Sequence, residues 1–196
     1  IQNRLFTAIQ FDEPADFDFR LETLRRRAEY RKLPFRGLIG GRVDLIAHQQ
    51  FIAREVVRRR IPRVLLADEA GLGKTIEAGL IIHRLILSGR AQRVIIVVPE
   101  SLLHQWFVEM LRRFNLAFTV VDGSYCDAVE MHDPEANPFV GTQLALTSTE
   151  FLTEHSERLV QADAAGWDLL VVDEAHHLGW APGEPSPESV SYTHLR

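Results

Sequence analysis

The sequence predicts an α/β fold in three α/β/α layers: a mainly parallel sheet with helices on both faces. Three observations predict it. Short runs apolar at consecutive positions, such as "VIIVVP", "QLALTS" and "DLLVV", suit strands covered on both sides. Amphipathic stretches alternate with them, which implies crossover helices between parallel strands. A near-complete phosphate-binding loop, "DEAGLGKT" at 68–75, separates a strand-like run from a helical one, the order such a loop needs.

The elements follow in order. Residues 1–41 are charged and weakly periodic, with a helix expected around "FRLETLRRRAEYRK" and a turn-prone "LPFRGLIGG". This segment reads as a connector or the tail of a preceding domain, ahead of a lobe expected over 42–188. In "DLIAHQQFIAREVVRRR", Leu45, Ile46, Phe51, Ile52 and Val56 fall near helical spacing, and Pro62 ends it. "VLLAD" reads as the first strand and "KTIEAGLIIHRLILSG" as its helix. "VIIVVP" leads to a helix over "LLHQWFVEMLRRF", "AFTVVDG" to a polar loop, and "QLALTS" to a single helix over "TEFLTEHSERLVQ"; "WDLLVVDE" closes the series. Residues 189–196 abandon the helix expected beyond Glu188 and read as an artefactual tail. Ile1 stands where a start methionine would be, so the chain reads as a piece of a longer product.

Composition narrows the function classes. With 196 residues, 46% of them hydrophobic and 25% charged, the chain can bury one ordinary core. Its apolar runs fall short of the roughly 20 residues that cross a bilayer, so no membrane association and a cytoplasmic location are expected. Cys126 is the only cysteine, which excludes an internal disulfide and a thiolate cluster. A net charge of -5 argues against coating nucleic acid by charge alone. The basic clusters "LRRRAEYRKLPFR" and "REVVRRRIPR" read as solvated helix faces.

Chemistry concentrates in two places. A phosphate cradle needs a strand that ends abruptly, a loop with inward-turned N–H groups and a helix N-terminus facing the anion. Gly71 and Gly73 permit that turn, Lys74 reaches the terminal phosphates, and the Thr75 hydroxyl suits magnesium. The chain has only two lysines, Lys32 and Lys74, among its 22 basic residues, so a lysine at this point is not background. Magnesium-assisted hydrolysis also needs an acid at the end of a neighbouring strand. In "LLVVDEAHH", Asp173 can hold the metal through water and Glu174 can polarise the attacking water.

"DEAGLGKT" together with "DEAH" resembles the Swi/Snf branch of the superfamily-two helicase-like ATPases, whose first motif commonly begins Asp-Glu. The resemblance implies a RecA-like lobe that binds ATP and Mg2+ through Asp68, Glu69, Ala70, Gly71, Leu72, Gly73, Lys74 and Thr75. It makes Gln49 in "LIAHQ" the adenine reader and His176 the residue coupling nucleotide state to nucleic acid. "VVPESLLHQW" and "LTSTEF" resemble the motifs after the next strands, placing Ser101, Ser148 and Thr149 at a nucleic-acid backbone, DNA in the first instance. "PRVLLADEAGLGKTIEAG" and "WDLLVVDEAHHL" are similar to the bacterial RNA polymerase-associated group of the branch. That similarity implies RNA polymerase as partner and its remodelling or recycling on nucleic acid as the task. The family's second RecA-like lobe, with its arginine fingers, and a Ser/Thr-Ala-Thr motif lie outside this sequence. A missing finger can cost ~1000-fold in rate, so the chain alone is expected to bind ATP better than it hydrolyses it.

Two alternatives stand beside this reading: a non-catalytic scaffold that holds a polymerase, and a small-molecule kinase with the same loop. Intact Lys74, Asp173 and Glu174 weigh against the first, and the glutamine and DEAH motifs against the second. The histidines form no zinc pattern. Trp106 and Trp167 read as packing anchors, and Arg58, Arg59, Arg60 and Arg63 as a solvated rim.

Overall fold

The structure, a computed structural model, describes residues 14–32, 42–44, 46–67, 73–177, 180–181 and 184–185. Its contacts divide the chain into two units, Ile1–Arg36 and Gly37–Arg196. The first contains helix α1 (Pro14–Lys32), whose described side chains are almost all exposed. An Arg26–Glu22 ion pair at 2.8 Å, one helical turn apart, supports it.

The second unit carries helices α2 (Ala47–Arg58), α3 (Lys74–Leu87), α4 (Glu100–Phe114), α5 (Gly123–His132), α6 (Thr149–Glu154) and α7 (Ser156–Ala164). Its main sheet contains β1 (Val94–Val98), β2 (Thr119–Val120), β3 (Leu144–Ser148) and β4 (Leu169–Val172) in the order β2-β3-β1-β4. All three pairings are parallel. A short antiparallel pair, β5 (Trp180–Ala181) with β6 (Glu184–Pro185), follows.

The consecutive apolar run of β1 has the physical meaning the sequence suggested, because all five residues are buried. Side chains alternate across a strand, and Val94, Ile96 and Val98 enter one core with α2, α3 and α4. Ile95 and Val97 enter a second core with Cys126 of α5, Leu152 of α6 and Ala162 of α7. Helices therefore cover both faces, giving the three layers. Where α3 crosses α4 the approach is close: a Cβ on Gly79 would lie 2.2 Å from the Phe114 ring.

Three local expectations are corrected. The run "VLLAD" forms no strand: residues 62–67 have no regular structure, and Asp68 lies outside the described residues. Pro62 and Arg63 line a cleft of about 580 Å³ together with Leu169 and Leu170, and the sheet's pairings include no residue of this run. Leu66 packs on the first core, but Leu65 is 77% exposed. The polar loop expected after "AFTVVDG" is helix α5, started by Asp122, whose carboxylate accepts from the Tyr125 amide at 2.8 Å. The single helix over "TEFLTEHSERLVQ" is two, broken at His155, whose backbone leaves the helical region (φ -123°, ψ 84°). The proposed tail, 189–196, lies outside the described residues.

The opposite, amino-terminal edge of the sheet is tied by polar contacts. Asp168 accepts from the amides of Gln92 at 2.7 Å and Arg93 at 2.9 Å. The Arg93 guanidinium donates to the carbonyls of Phe139, Val140 and Gly166 and lies 4.8 Å from the Trp167 ring centroid. Arg90 donates to the carbonyls of Val57, Arg59 and Arg60, satisfying the end of α2.

Candidate nucleotide-binding site

In a parallel sheet the loops leaving the carboxyl ends of the strands gather on one edge. Here Val98 of β1 pairs with Ser148 of β3, and Val97 pairs with Val172 of β4. The register therefore collects three chain segments at that edge: Pro99–Ser101 after β1, Ser148–Thr149 at the end of β3, and Asp173–His176 after β4. The residues singled out from the sequence after position 98 converge as a consequence of strand pairing.

Helix α3 opens the phosphate-loop half of the site. Its N-cap, Gly73, has φ +87° and brings no capping side chain. The Gly73 carbonyl accepts from the amides of Ile76 at 2.8 Å and Glu77 at 3.1 Å, so the first turn closes immediately after the loop. Lys74 and Thr75 are half-buried at this positive end of the helix dipole. Gln49 is 3% exposed on α2, and a Cβ on Gly73 would lie 2.5 Å from its Nε2. The amide is thus packed beneath the last residue of the loop. Asp68, Glu69, Ala70, Gly71 and Leu72 lie outside the described residues.

The acidic half is tightly specified. The Asp173 amide donates to the Val97 carbonyl at 3.0 Å, extending the β4 ladder by one bond. Its carboxylate takes two donors: the Glu174 amide on Oδ1 and the Trp106 indole on Oδ2, both at 2.8 Å. Glu174 has φ 50°, a left-handed conformation that costs a non-glycine residue about 1–2 kcal/mol. This turn follows Asp173 at once, so the backbone changes direction between the two adjacent acidic residues at the sheet edge. Glu174 Oε2 lies 3.0 Å from His176 Nδ1.

The remaining loops share contacts of their own. Glu150 Oε2 accepts from the Glu100 amide at 2.9 Å, so a carboxylate from α6 sits at the amino end of α4. Ser148 is 4% exposed, and its oxygen accepts from the Phe151 amide at 3.0 Å, capping α6. Ser101 is exposed and Thr149 half-buried. Sequence reasoning missed Glu150, whose role needs a partner 50 residues away. It assigned Trp106 to packing alone, although a buried indole N–H normally requires an acceptor.

The residue types fit magnesium and a nucleotide. Hydroxyl and carboxylate oxygens are hard donors, and magnesium retains several waters while taking one or two protein oxygens plus phosphate. Among the described residues no group of three or more His, Cys, Asp or Glu side chains forms a protein-only metal cage. Thr75 and Asp173 would hold the ion jointly with a bound phosphate chain. No described helix is long and apolar enough to cross a membrane.

The chain is similar to known proteins of one family. Residues 48–184 match the model of the SNF2-related domain. The chain is 54% identical over 187 residues to the RNA polymerase-associated protein RapA of Vibrio cholerae, covering 95% of this chain and 19% of that protein. It is 55% identical over 185 residues to RapA of Photobacterium profundum, covering 94% and 19% respectively. Among solved structures, the Sulfolobus solfataricus SWI2/SNF2 ATPase core in complex with dsDNA superposes with a TM-score of 0.60 at 17% identity, covering 79% of this chain and 30% of that one. The chain thus spans about a fifth of the length of these curated relatives.

Proposed function

The chain belongs to the SNF2-related family, and from that premise we propose that residues 42–188 are the ATP-binding first lobe of a nucleic-acid-dependent motor. The motor acts on RNA polymerase bound to DNA, in the cytoplasm. The observation that carries the nucleotide reading is the placement of Asp173 and Glu174. They stand at the carboxyl edge of a parallel sheet, in a chain whose α3 begins with Lys74 and Thr75 directly after a left-handed glycine. The polymerase and DNA partners rest on the similarity to RapA and to the SWI2/SNF2 core.

Each residue has a defined task. Lys74 neutralises charge on the β- and γ-phosphates, and the α3 amino end adds its dipole. Thr75 and Asp173 orient the magnesium site; the ion, when bound, supplies charge neutralisation across the phosphates. Glu174 orients the attacking water, held by its left-handed backbone and its contact with His176. Gln49 supports the loop from below through Gly73 and aligns the adenine side of the site. Ser101 and Thr149 offer polar groups to a nucleic-acid backbone, with His176 coupling that contact to the nucleotide. Positioning and electrostatics account for most of such catalysis, so this lobe alone binds ATP better than it turns it over.

Calorimetric titration of Mg-ATP into the full-length protein tests the reading. Lys74→Ala, shown to be folded, is expected to bind about 10- to 100-fold more weakly, since charge-assisted phosphate contacts contribute roughly 1.5–3 kcal/mol. Equal affinity in the two proteins would remove Lys74 from the site, and no binding by the folded wild type would leave the scaffold reading in its place.

A further inference from the structure

Trp106 and Trp167 solve the same problem differently. Trp106 is buried and Trp167 half-buried, and each indole N–H has a protein acceptor. Trp167 donates to the Ala162 carbonyl, five residues away, at 2.8 Å. Trp106 instead reaches a side chain 67 residues away, the Oδ2 of Asp173, also at 2.8 Å. The first is a local backbone contact. The second joins α4 to the carboxylate assigned to the metal.

Several properties make this contact an orienting device. Trp106 is 3% exposed and packed in the first core, so the donor has little freedom of its own. An indole N–H only donates, so it cannot exchange roles with the carboxylate or compete as a base. The Glu174 amide holds the other oxygen, Oδ1, and the two donors together restrain rotation of the carboxylate. A carboxylate offers about four lone-pair sites, and two donors leave room on both oxygens for the water shell of a cation. Such hydrogen bonds to a metal-binding group set its direction.

We propose that Trp106 is a positioning residue, whose indole N–H holds Asp173 Oδ2 and sets the carboxylate for magnesium carried by the bound nucleotide. The inference rests on the assignment of Asp173 to magnesium above. It predicts that removal of the N–H weakens metal-dependent nucleotide binding while leaving metal-free binding as it was.

The experiment measures ATP affinity in the full-length protein, with Mg2+ and with EDTA, for wild type, Trp106→Phe and Asp173→Asn. Thermal denaturation is run on each. The gain in affinity from Mg2+ is expected to fall about tenfold or more in Trp106→Phe, with affinity in EDTA unchanged. An undiminished gain in Trp106→Phe beside a reduced one in Asp173→Asn would overturn the positioning role and keep the metal assignment. An undiminished gain in Asp173→Asn would overturn the metal assignment itself. Equal weakening of Trp106→Phe with and without Mg2+ would reduce Trp106 to a packing role. If Trp106→Phe does not fold, benzothienylalanine at position 106 removes the N–H at nearly constant shape, and the same outcomes decide.

Discussion

At the residue scale the start of α3 depends on Gly73 for two separate reasons. Its φ of +87° disfavours any residue with a Cβ, and the space a Cβ needs is held by the Gln49 amide. Gly73→Ala is therefore expected to lower stability by about 1–2 kcal/mol from backbone conformation, with a further loss from displacing Gln49. Urea denaturation of Gly73→Ala, Gln49→Ala and the double variant separates the two contributions. The steric part disappears in the double variant and the conformational part persists; additive effects would show that the two residues do not meet. That Gly73 belongs to the loop was legible from its spacing to Lys74. That Gln49 lies under it was not, because the 23 intervening residues carry no sign of the contact.

At the scale of elements, α3 and α4 approach closely because Gly79 has no side chain where the Phe114 ring crosses. Gly79 sits within a helix, so space rather than backbone conformation decides its identity here. Gly79→Ala is expected to destabilise the protein by about 1–3 kcal/mol through overpacking, despite the higher helix propensity of alanine. Combining it with Phe114→Leu should restore part of the loss; a stabilising Gly79→Ala measured by thermal denaturation would refute the packing. Most elements were readable in advance, because apolar runs and 3.6-residue periodicity are local signals. Helix α5 escaped because Gly123 follows its cap and resembles a turn, yet Asp122 was a usable start signal. The break at His155 escaped because a continuous helical pattern does not reveal that two short helices each bury their own apolar residue, Leu152 in α6 and Ala162 in α7.

At the scale of the whole molecule, the sheet is tied at one edge by Asp168 and Arg93 and gathers the candidate site residues after β1, β3 and β4 at the other. Hydrogen bonds from the Arg93 and Gln92 amides hold the Asp168 carboxyl below its usual range. Its contribution is thus fully present above the unfolded carboxylate pKa and is lost as pH falls through the depressed folded value. Asp168→Ala is expected to cost about 1 kcal/mol at neutral pH and to flatten the acid side of a stability–pH profile. An unchanged acid limb in urea melts across pH would sever Asp168 from the acid response.

Residue order alone sufficed for the α/β class and the crossover helices, and it marked Lys74–Thr75 and Asp173–Glu174 as candidates. Those follow from periodicity, turn chemistry and strand ends, all expressed over a few neighbouring positions. Folding supplied the indole on Asp173, the carboxylate of Glu150 at α4 and the burial of Gln49 under Gly73. It also withheld a ladder from the apolar run at 64–67, although its composition favours a strand. A strand is completed by a neighbour and an oriented carboxylate by a donor; in this chain both are contacts between residues far apart in sequence.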